Sequence, residues 1–383
     1  MSSRYGLRDY GAMMADGVRM GAYRAALSRV VKPGAVVVDL GAGIGIMSLI
    51  ACQLGARRVY AIEPDDLIEV ARELAASNGF ADRLQIIQER SERVSLPERA
   101  DVLVSDLRGV LPFYADHIPV LMDARRRFLA PGGVLIPEHD QLHAAVVSSA
   151  RAYDENRRPW RDGAAGLDTS PAEKMAVNQL AKPKLGTADI VTPPRAWASI
   201  DYRSDASPSA RGTVSWRFEG RAVGHGLRVW FDTTLAAGIG FSNRAGAAET
   251  VYGAVFLPWS EPVELEPGDE IATEISADLV GKDYVWRWNT TVTPSGGGAG
   301  AHFRQSSFLG EPLGAARLLR RRPERATKLN DEGQVAAFVL AEMKRERALG
   351  DVARDLIAAF PGRFPDEAAA LAQAATLADR YGA

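Results

Sequence analysis

Apolar and polar positions follow two alternating patterns from residue 35 to residue 136. Short apolar runs, Ala35–Leu40, Arg58–Ile62, Leu84–Gln88, Asp101–Ser105 and Val134–Ile136, predict strands. Between them, Ile46–Leu54, Asp66–Asn78 and Asp116–Phe128 place apolar residues at helical spacing. The last helix is predicted to stop at Ala130-Pro-Gly-Gly133, where proline and glycine break it. Strands alternating with helices predict a parallel sheet covered by helices, the α/β arrangement that also binds nucleotides.

The pattern changes after Pro137. Leu142–Val147, Ala198–Tyr202, Thr213–Phe218, Leu227–Thr233, Ala254–Pro258 and Tyr284–Val292 read as strands joined by turns, without long helices between them. Two stretches interrupt the series, a polar and partly helical segment at 151–183 and a loop at 242–248. This half predicts an antiparallel β sandwich or barrel carrying an inserted arm. Ser295-Gly-Gly-Gly-Ala-Gly300 reads as a flexible hairpin or linker. The tail is helical again, over Gln334–Ala348, Val352–Phe360 and an Ala-rich Asp366–Tyr381. Three regions follow: a Rossmann-like domain at 1–137 with a helical N-terminal lid, a β domain at 138–325, and a helical module at 326–383.

Composition narrows the class. At 383 residues the chain exceeds one ordinary hydrophobic core. Lys plus Arg number 46 against 48 Asp plus Glu, so bulk charge predicts neither nucleic acid nor an anionic membrane as partner. One cysteine, Cys52, predicts no internal disulfide and no zinc framework, which suits a reducing cytoplasm. Met1-Ser-Ser-Arg-Tyr-Gly6 has no secretory pattern, and no run reaches the roughly 18–20 apolar residues a membrane helix needs. His139, His143, His225 and His302 lack the paired spacing of a metal site.

The first predicted strand ends in Asp39-Leu-Gly41-Ala-Gly43-Ile-Gly45. Glycines after a buried strand let backbone approach a ligand closely, a device many cofactors exploit. Here Ile46 replaces the last glycine of the dinucleotide pattern, and Asp39 precedes the turn. A carboxylate there repels a pyrophosphate but attracts the ammonium and sulfonium of S-adenosylmethionine. Glu63, 22 residues after Gly41, suits the hydroxyls of a ribose, a feature that dinucleotide sites share.

Three segments taken in order, Met13-Met-Ala-Asp-Gly-Val-Arg19-Met-Gly-Ala-Tyr23, Val38-Asp-Leu-Gly-Ala-Gly-Ile-Gly45 and Arg125-Arg-Arg-Phe-Leu-Ala-Pro-Gly-Gly-Val-Leu-Ile-Pro-Glu138, resemble the protein arginine methyltransferase family of class I S-adenosylmethionine-dependent enzymes. The likeness spans roughly residues 5 to 290, and the opening motif is its specific part. It implies that Arg19 pairs with the cofactor's carboxylate and that Glu63 holds the ribose. It also implies that Glu92 and the Ser91 backbone read the adenine edge, that Met13 lies against the sulfonium, and that Tyr5 and Tyr10 belong to the lid. The bland alternatives are that Arg19 and Glu92 are surface charges and that Met13 and the two tyrosines simply pack. The arm at 151–183 stands where the family dimerises, so a two-fold homodimer is expected.

The same comparison exposes departures on the acceptor side. The family grips a guanidinium with two glutamates in the loop after the fourth strand. In Ser105-Asp-Leu-Arg-Gly-Val-Leu-Pro-Phe-Tyr-Ala115-Asp-His117 the first position holds Asp106 and the second Ala115, with Arg108 between them. Asp116 could substitute only if the loop shifts by one residue. The family's Thr-His-Trp loop becomes Thr250-Val-Tyr252.

These changes predict methylation of a peptide side chain, protein or small metabolite other than a typical protein arginine, with Asp106 as orienting or proton-accepting carboxylate. Conventional arginine methylation and a non-catalytic cofactor-binding scaffold are the alternatives. His117 serves either as a base or as a helix-start residue. The segment from Lys328 to Phe364 loosely resembles PqqD-like modules, which bind a leader peptide by adding a strand to a sheet. Its other reading is a plain helical extension.

Overall fold

The computed structural model describes residues 5–382; Met1 to Arg4, part of the stretch read for a secretory signal, lie outside the described residues. The chain forms two compact units divided between Glu311 and Pro312.

The first unit opens with α1 (Leu7–Ala15) and α2 (Gly17–Val30), then alternates β1 (Val36–Leu40), α3 (Ile46–Gln53), β2 (Arg58–Ile62), α4 (Ile68–Ser77), β3 (Leu84–Ile87), β4 (Ala100–Ser105), α5 (His117–Phe128) and β5 (Leu129–Ile136). All five strands are parallel, in the order β3-β2-β1-β4-β5. Every residue of β1 is buried, as a central strand covered on both faces must be. The chain leaves β1 toward one side and returns as β4 on the other. Their carboxyl ends therefore border the crevice where ligands bind in such sheets. The Gly-rich turn follows β1, and Asp106 follows β4.

The helix α5 ends at Phe128 as expected, but no loop follows it. Ala130-Pro-Gly-Gly133 lies inside β5, which starts at Leu129 directly after the helix. Leu129 pairs with Ala100 and Val134 with Val102, so the four residues are accommodated as an irregularity in the ladder rather than as a loop.

Two antiparallel sheets complete this unit. The first orders β10 (Ile239–Ser242), β9 (Ala222–Ala236), β6 (His139–Val147) and β7 (Arg195–Asp201), with β11 (Val255–Leu265) also on β9. The second orders β14 (Ala301–Phe303), β13 (Asp283–Thr293), β12 (Glu270–Val280) and β8 (Ala210–Arg217). The arm contains α6 (Ala150–Arg161) and α7 (Ser170–Ala176). Residues 295–300 turn the β13–β14 hairpin.

β12 was not foreseen, because Glu270, Glu274 and Asp278 dilute its apolar pattern. Its inward positions, Ile271, Thr273, Ile275 and Ala277, are all buried, which is the period of two a half-covered strand requires. One continuous hydrophobic core runs from Tyr23 through both kinds of sheet to Phe303.

The second unit holds α8 (Ala315–Arg320), α9 (Asp331–Met343), α10 (Leu349–Ala359) and α11 (Glu367–Tyr381). Its own core comprises Val335, Val339, Val352, Ala353, Leu356, Ala370, Ala374 and Leu377. Asn330 and Asp366 cap α9 and α11 by accepting from Gly333 and Ala369 amides. Among the described residues this unit has no strand. The sheet edge that the PqqD-like resemblance implied is not among this unit's described elements. No described helix is long and apolar enough to cross a membrane.

Candidate active site

The Gly-rich turn depends on backbone that only glycine adopts easily. Gly41, Gly43 and Gly45 have φ of +71°, +53° and +77°. A Cβ on Gly43 would meet the Tyr10 ring at 2.3 Å, and one on Gly41 would meet Leu107 at the same distance. The α1 lid thus rests through Tyr10 on the turn, and the acceptor loop rests on it through Leu107. Beside the turn lies a cavity of about 920 Å³. Every residue predicted for cofactor or catalysis lines it except Gly43 and Gly45.

Asp39 is buried and accepts both the amide and the hydroxyl of Ser48 on Oδ2, at 2.9 and 2.7 Å, tying the turn to α3. Burial outweighs those bonds and raises its pKa to about 6. The Glu63 oxygens accept the Gly43 amide at 3.1 Å and the Asp65 amide at 3.0 Å, and burial raises its pKa as well. Ser91 is buried in a 3₁₀ turn at Ser91–Arg93. Glu92 is exposed and pairs with Arg90 at 2.7 Å.

Arg19 begins its helix under a cap that also fastens the β domain: Asp16 accepts the Arg19 amide at 2.9 Å and the Val251 amide at 2.8 Å. The Arg19 guanidinium gives Nε to Asp106 at 2.6 Å and Nη1 to the Met13 carbonyl at 3.3 Å. Its Nη2 takes no protein partner among the described residues. A ligand carboxylate can therefore still be bound there.

On the acceptor side, Asp106 is fully engaged. Arg19 holds Oδ2, Arg108 approaches Oδ1 at 3.3 Å, and the Tyr252 hydroxyl donates to both oxygens at 2.7 and 2.6 Å. Burial raises its pKa, but the two guanidiniums and the hydroxyl prevail and hold it below the usual carboxylate range. Such a carboxylate is a poor base, which weakens the proton-accepting part expected of it.

Arg108 is completely buried. It reaches Asp140 at 2.9 Å, the Thr233 hydroxyl at 2.7 Å and the Tyr23 hydroxyl at 2.6 Å, and lies over the rings of Phe231, Phe241 and Tyr252. The positive charge between the two acceptor-loop positions is thus built into the wall. Ala115 offers only a methyl, on backbone with φ of +43°. Asp116 faces Arg90 at 3.1 Å and Lys282 at 3.8 Å.

His117 is buried at the first turn of α5, its Nε2 3.3 Å from the Tyr202 hydroxyl and its Nδ1 without a partner. Tyr202 in turn donates to Asp140 at 2.8 Å. Neither Tyr202 nor Asp140 was singled out from sequence. A usable signal existed for Asp140, an acid in the same strand phase as the buried Leu142, Ala144 and Val146. Among the described residues no group of side chains is arranged to hold a metal.

Comparison with known proteins agrees with this geometry. A family model described as ribosomal protein L11 methyltransferase (PrmA) matches residues 24–138. Protein arginine N-methyltransferase 6 of Xenopus tropicalis is 29% identical over 278 residues, covering 69% of this chain and 82% of the relative. A probable protein arginine N-methyltransferase 6 of Arabidopsis thaliana is 31% identical over 233 residues, 58% of this chain and 53% of the relative. The chain thus spans about half the length of that plant relative.

Among solved structures, the Trypanosoma brucei PRMT1 enzyme–prozyme heterotetrameric complex with AdoHcy superposes with a TM-score of 0.71 at 23% identity, covering 79% of this chain and 98% of that one. Arabidopsis thaliana protein arginine methyltransferase 10 gives 0.70 at 22% identity, covering 79% and 97%. The fold and the Gly-rich turn are similar to those of class I S-adenosylmethionine-dependent methyltransferases. Within that class, the proteins this chain resembles are the protein arginine methyltransferases.

Two outcomes are expected from these geometries. Arg108→Ala would leave Asp106 and Asp140 buried with less compensation and should lower unfolding free energy by about 3–5 kcal/mol, measured by denaturant titration. Unchanged stability would show that the cluster is not held as described.

Asp39 has a folded pKa above its unfolded one, so its protonated form is favoured in the folded chain. The associated stability is present below about pH 4 and is lost as pH rises through about 6. The loss is on the order of 3 kcal/mol. Asp39→Asn should therefore stabilise the cofactor-free protein above pH 6. A bound cation favours the carboxylate, so donor affinity of the parent chain should rise between pH 5 and 7. Calorimetry showing a flat affinity would refute that coupling.

Proposed function

We propose that the protein methylates a nitrogen on a peptide side chain, protein or small metabolite, and that this acceptor is not an ordinary arginine guanidinium. The single observation that carries this reading is the state of Asp106. A guanidinium needs free carboxylate oxygens, but both oxygens of Asp106 are already taken by two arginines and a tyrosine. The second carboxylate position is Ala115.

S-adenosylmethionine, when bound, supplies a methyl group on a positively charged sulfur that a lone pair can displace. The residues fit it. Nη2 of Arg19 would take its carboxylate and Glu63 its ribose hydroxyls. Ser91 and Glu92 would meet the adenine edge, Met13 would border the sulfonium, and Asp39 would offset its positive charge. The chain's task is then to hold the acceptor's lone pair in line and exclude water.

Conventional protein arginine methylation is the second reading, favoured by the names of the relatives. Incubation with isotope-labelled donor and fractionated peptides or metabolites, followed by mass spectrometry, distinguishes them. Label on a non-guanidinium nitrogen is expected. Label on arginine would establish the second reading, and donor binding without any transfer would point to a scaffold.

The arm supports a two-fold dimer, since α6 and the loop after it leave Trp160 and Leu167 exposed. Sedimentation should give twice the 41.3 kDa chain mass; a single chain mass would refute the dimer. A cytoplasmic setting accords with Cys52, buried and free.

A further inference from the structure

One wall of the cavity holds a chain of hydrogen bonds that runs from His117 to the buried Arg108 cluster. His117 Nε2 lies 3.3 Å from the Tyr202 hydroxyl, that hydroxyl 2.8 Å from Asp140 Oδ2, and Asp140 Oδ1 2.9 Å from Arg108 Nη1. All four residues are buried, and His117 lines the cavity.

A count of protons fixes the direction of the chain. Arg108 only donates and the Asp140 carboxylate only accepts, so the single Tyr202 proton goes to Asp140. The Tyr202 oxygen must then accept from His117, which places the imidazole proton on Nε2. Nδ1 is left as a bare lone pair with no protein partner. An unpaired buried acceptor costs about 1–3 kcal/mol, a penalty that a ligand's N–H would remove.

We infer, resting on the methyltransferase reading above, that His117 Nδ1 accepts the N–H of a neutral nitrogen nucleophile, and that Tyr202 and Asp140 position His117 and receive the proton it takes. In the transfer step the acceptor's lone pair forms the new N–C bond, and the electrons of the broken S–C bond remain on sulfur, which becomes a neutral thioether. The acceptor's N–H proton, carried by the methylated nitrogen of a carboxamide or by the other ring nitrogen of an imidazole, passes to Nδ1, the Nε2 proton to Tyr202, and the Tyr202 proton to Asp140. The imidazole starts and ends neutral. That suits its surroundings, because burial and the Arg108 charge push its pKa down to about 3 and make an imidazolium costly. The same surroundings disfavour a cationic substrate at this wall. Neutral imidazole and carboxamide groups have the required chemistry.

The test uses full-length protein labelled with [15N]histidine and loaded with S-adenosylhomocysteine. Its five histidines allow the His117 signals to be assigned by comparison with His117→Gln. Expected are a protonated Nε2 and an unprotonated Nδ1, with the Nδ1 resonance moving on titration with N-acetylhistidine amide at pH 8 or N-acetylasparagine amide, and not with N-acetylarginine amide. A protonated Nδ1, or no movement with either neutral probe, overturns the inference.

Kinetics on the acceptor found by isotope labelling give a second readout. His117→Phe should lower kcat/KM about 100-fold while S-adenosylhomocysteine affinity stays within about twofold, and Tyr202→Phe should lower kcat about tenfold with little change in KM. Wild-type kcat/KM in His117→Phe on a neutral acceptor would remove His117 alone and leave the proposed function standing. Methylation of arginine by the parent enzyme would instead remove the proposed function.

Discussion

The Asp106 carboxylate is the interaction on which the rest of the site depends. It stands at the carboxyl end of β4, and its partners come from α2, from its own loop and from the segment before β11. Three parts of the chain that are 87 and 146 residues distant from one another in sequence thus converge on two oxygens. A lone buried carboxylate would be strongly destabilising; with two guanidiniums and a phenol it is satisfied, and it fixes where α2 and the Tyr252 loop must sit. Under the proposed function, one residue, Arg19, would serve both the donor carboxylate and Asp106, and a carboxylate bound there would alter the field at Asp106.

The parallel sheet was legible in the sequence because β1, β2 and β4 are buried on both faces and read as short apolar runs. Elements whose identity rests on partners were not. β12 carries acids on its outward phase, and pairing with β8 and β13 on either side completes it as a strand. The start of β5 was hidden by proline and glycine, residues that local rules assign to a break but that a strand edge can absorb as an irregularity. The Gly-rich turn was legible for the opposite reason. Its glycines and acids serve a backbone shape within one βαβ unit, so their spacing alone carries the information.

The acceptor half was legible only as an anomaly. Asp106, Arg108, Ala115 and Tyr252 were each visible as departures, but nothing local tells that Arg108 turns inward to Asp140 rather than toward solvent. That outcome depends on Tyr23 in α2, Thr233 in β9 and Tyr202 directly after β7, all distant from Arg108 in sequence. A charged residue in an apolar strand phase, as at Asp140, marks a buried pair without saying which cation completes it.

The electrostatic balance decides what such a wall can hold. Two carboxylates, Asp106 and Asp140, face two guanidiniums, Arg19 and Arg108, so the cluster is close to neutral. A pair of free glutamates would instead present two negative charges. At an effective dielectric near 20, one charge 4 Å away changes a cation's energy by about 4 kcal/mol. A cationic acceptor entering this cavity would still lose several kcal/mol of hydration and would meet no net attraction in return. A neutral acceptor loses far less on entry. The loss of the second carboxylate and the arrival of Arg108 therefore act in the same direction, lowering the affinity of the wall for positive charge while the donor side is retained.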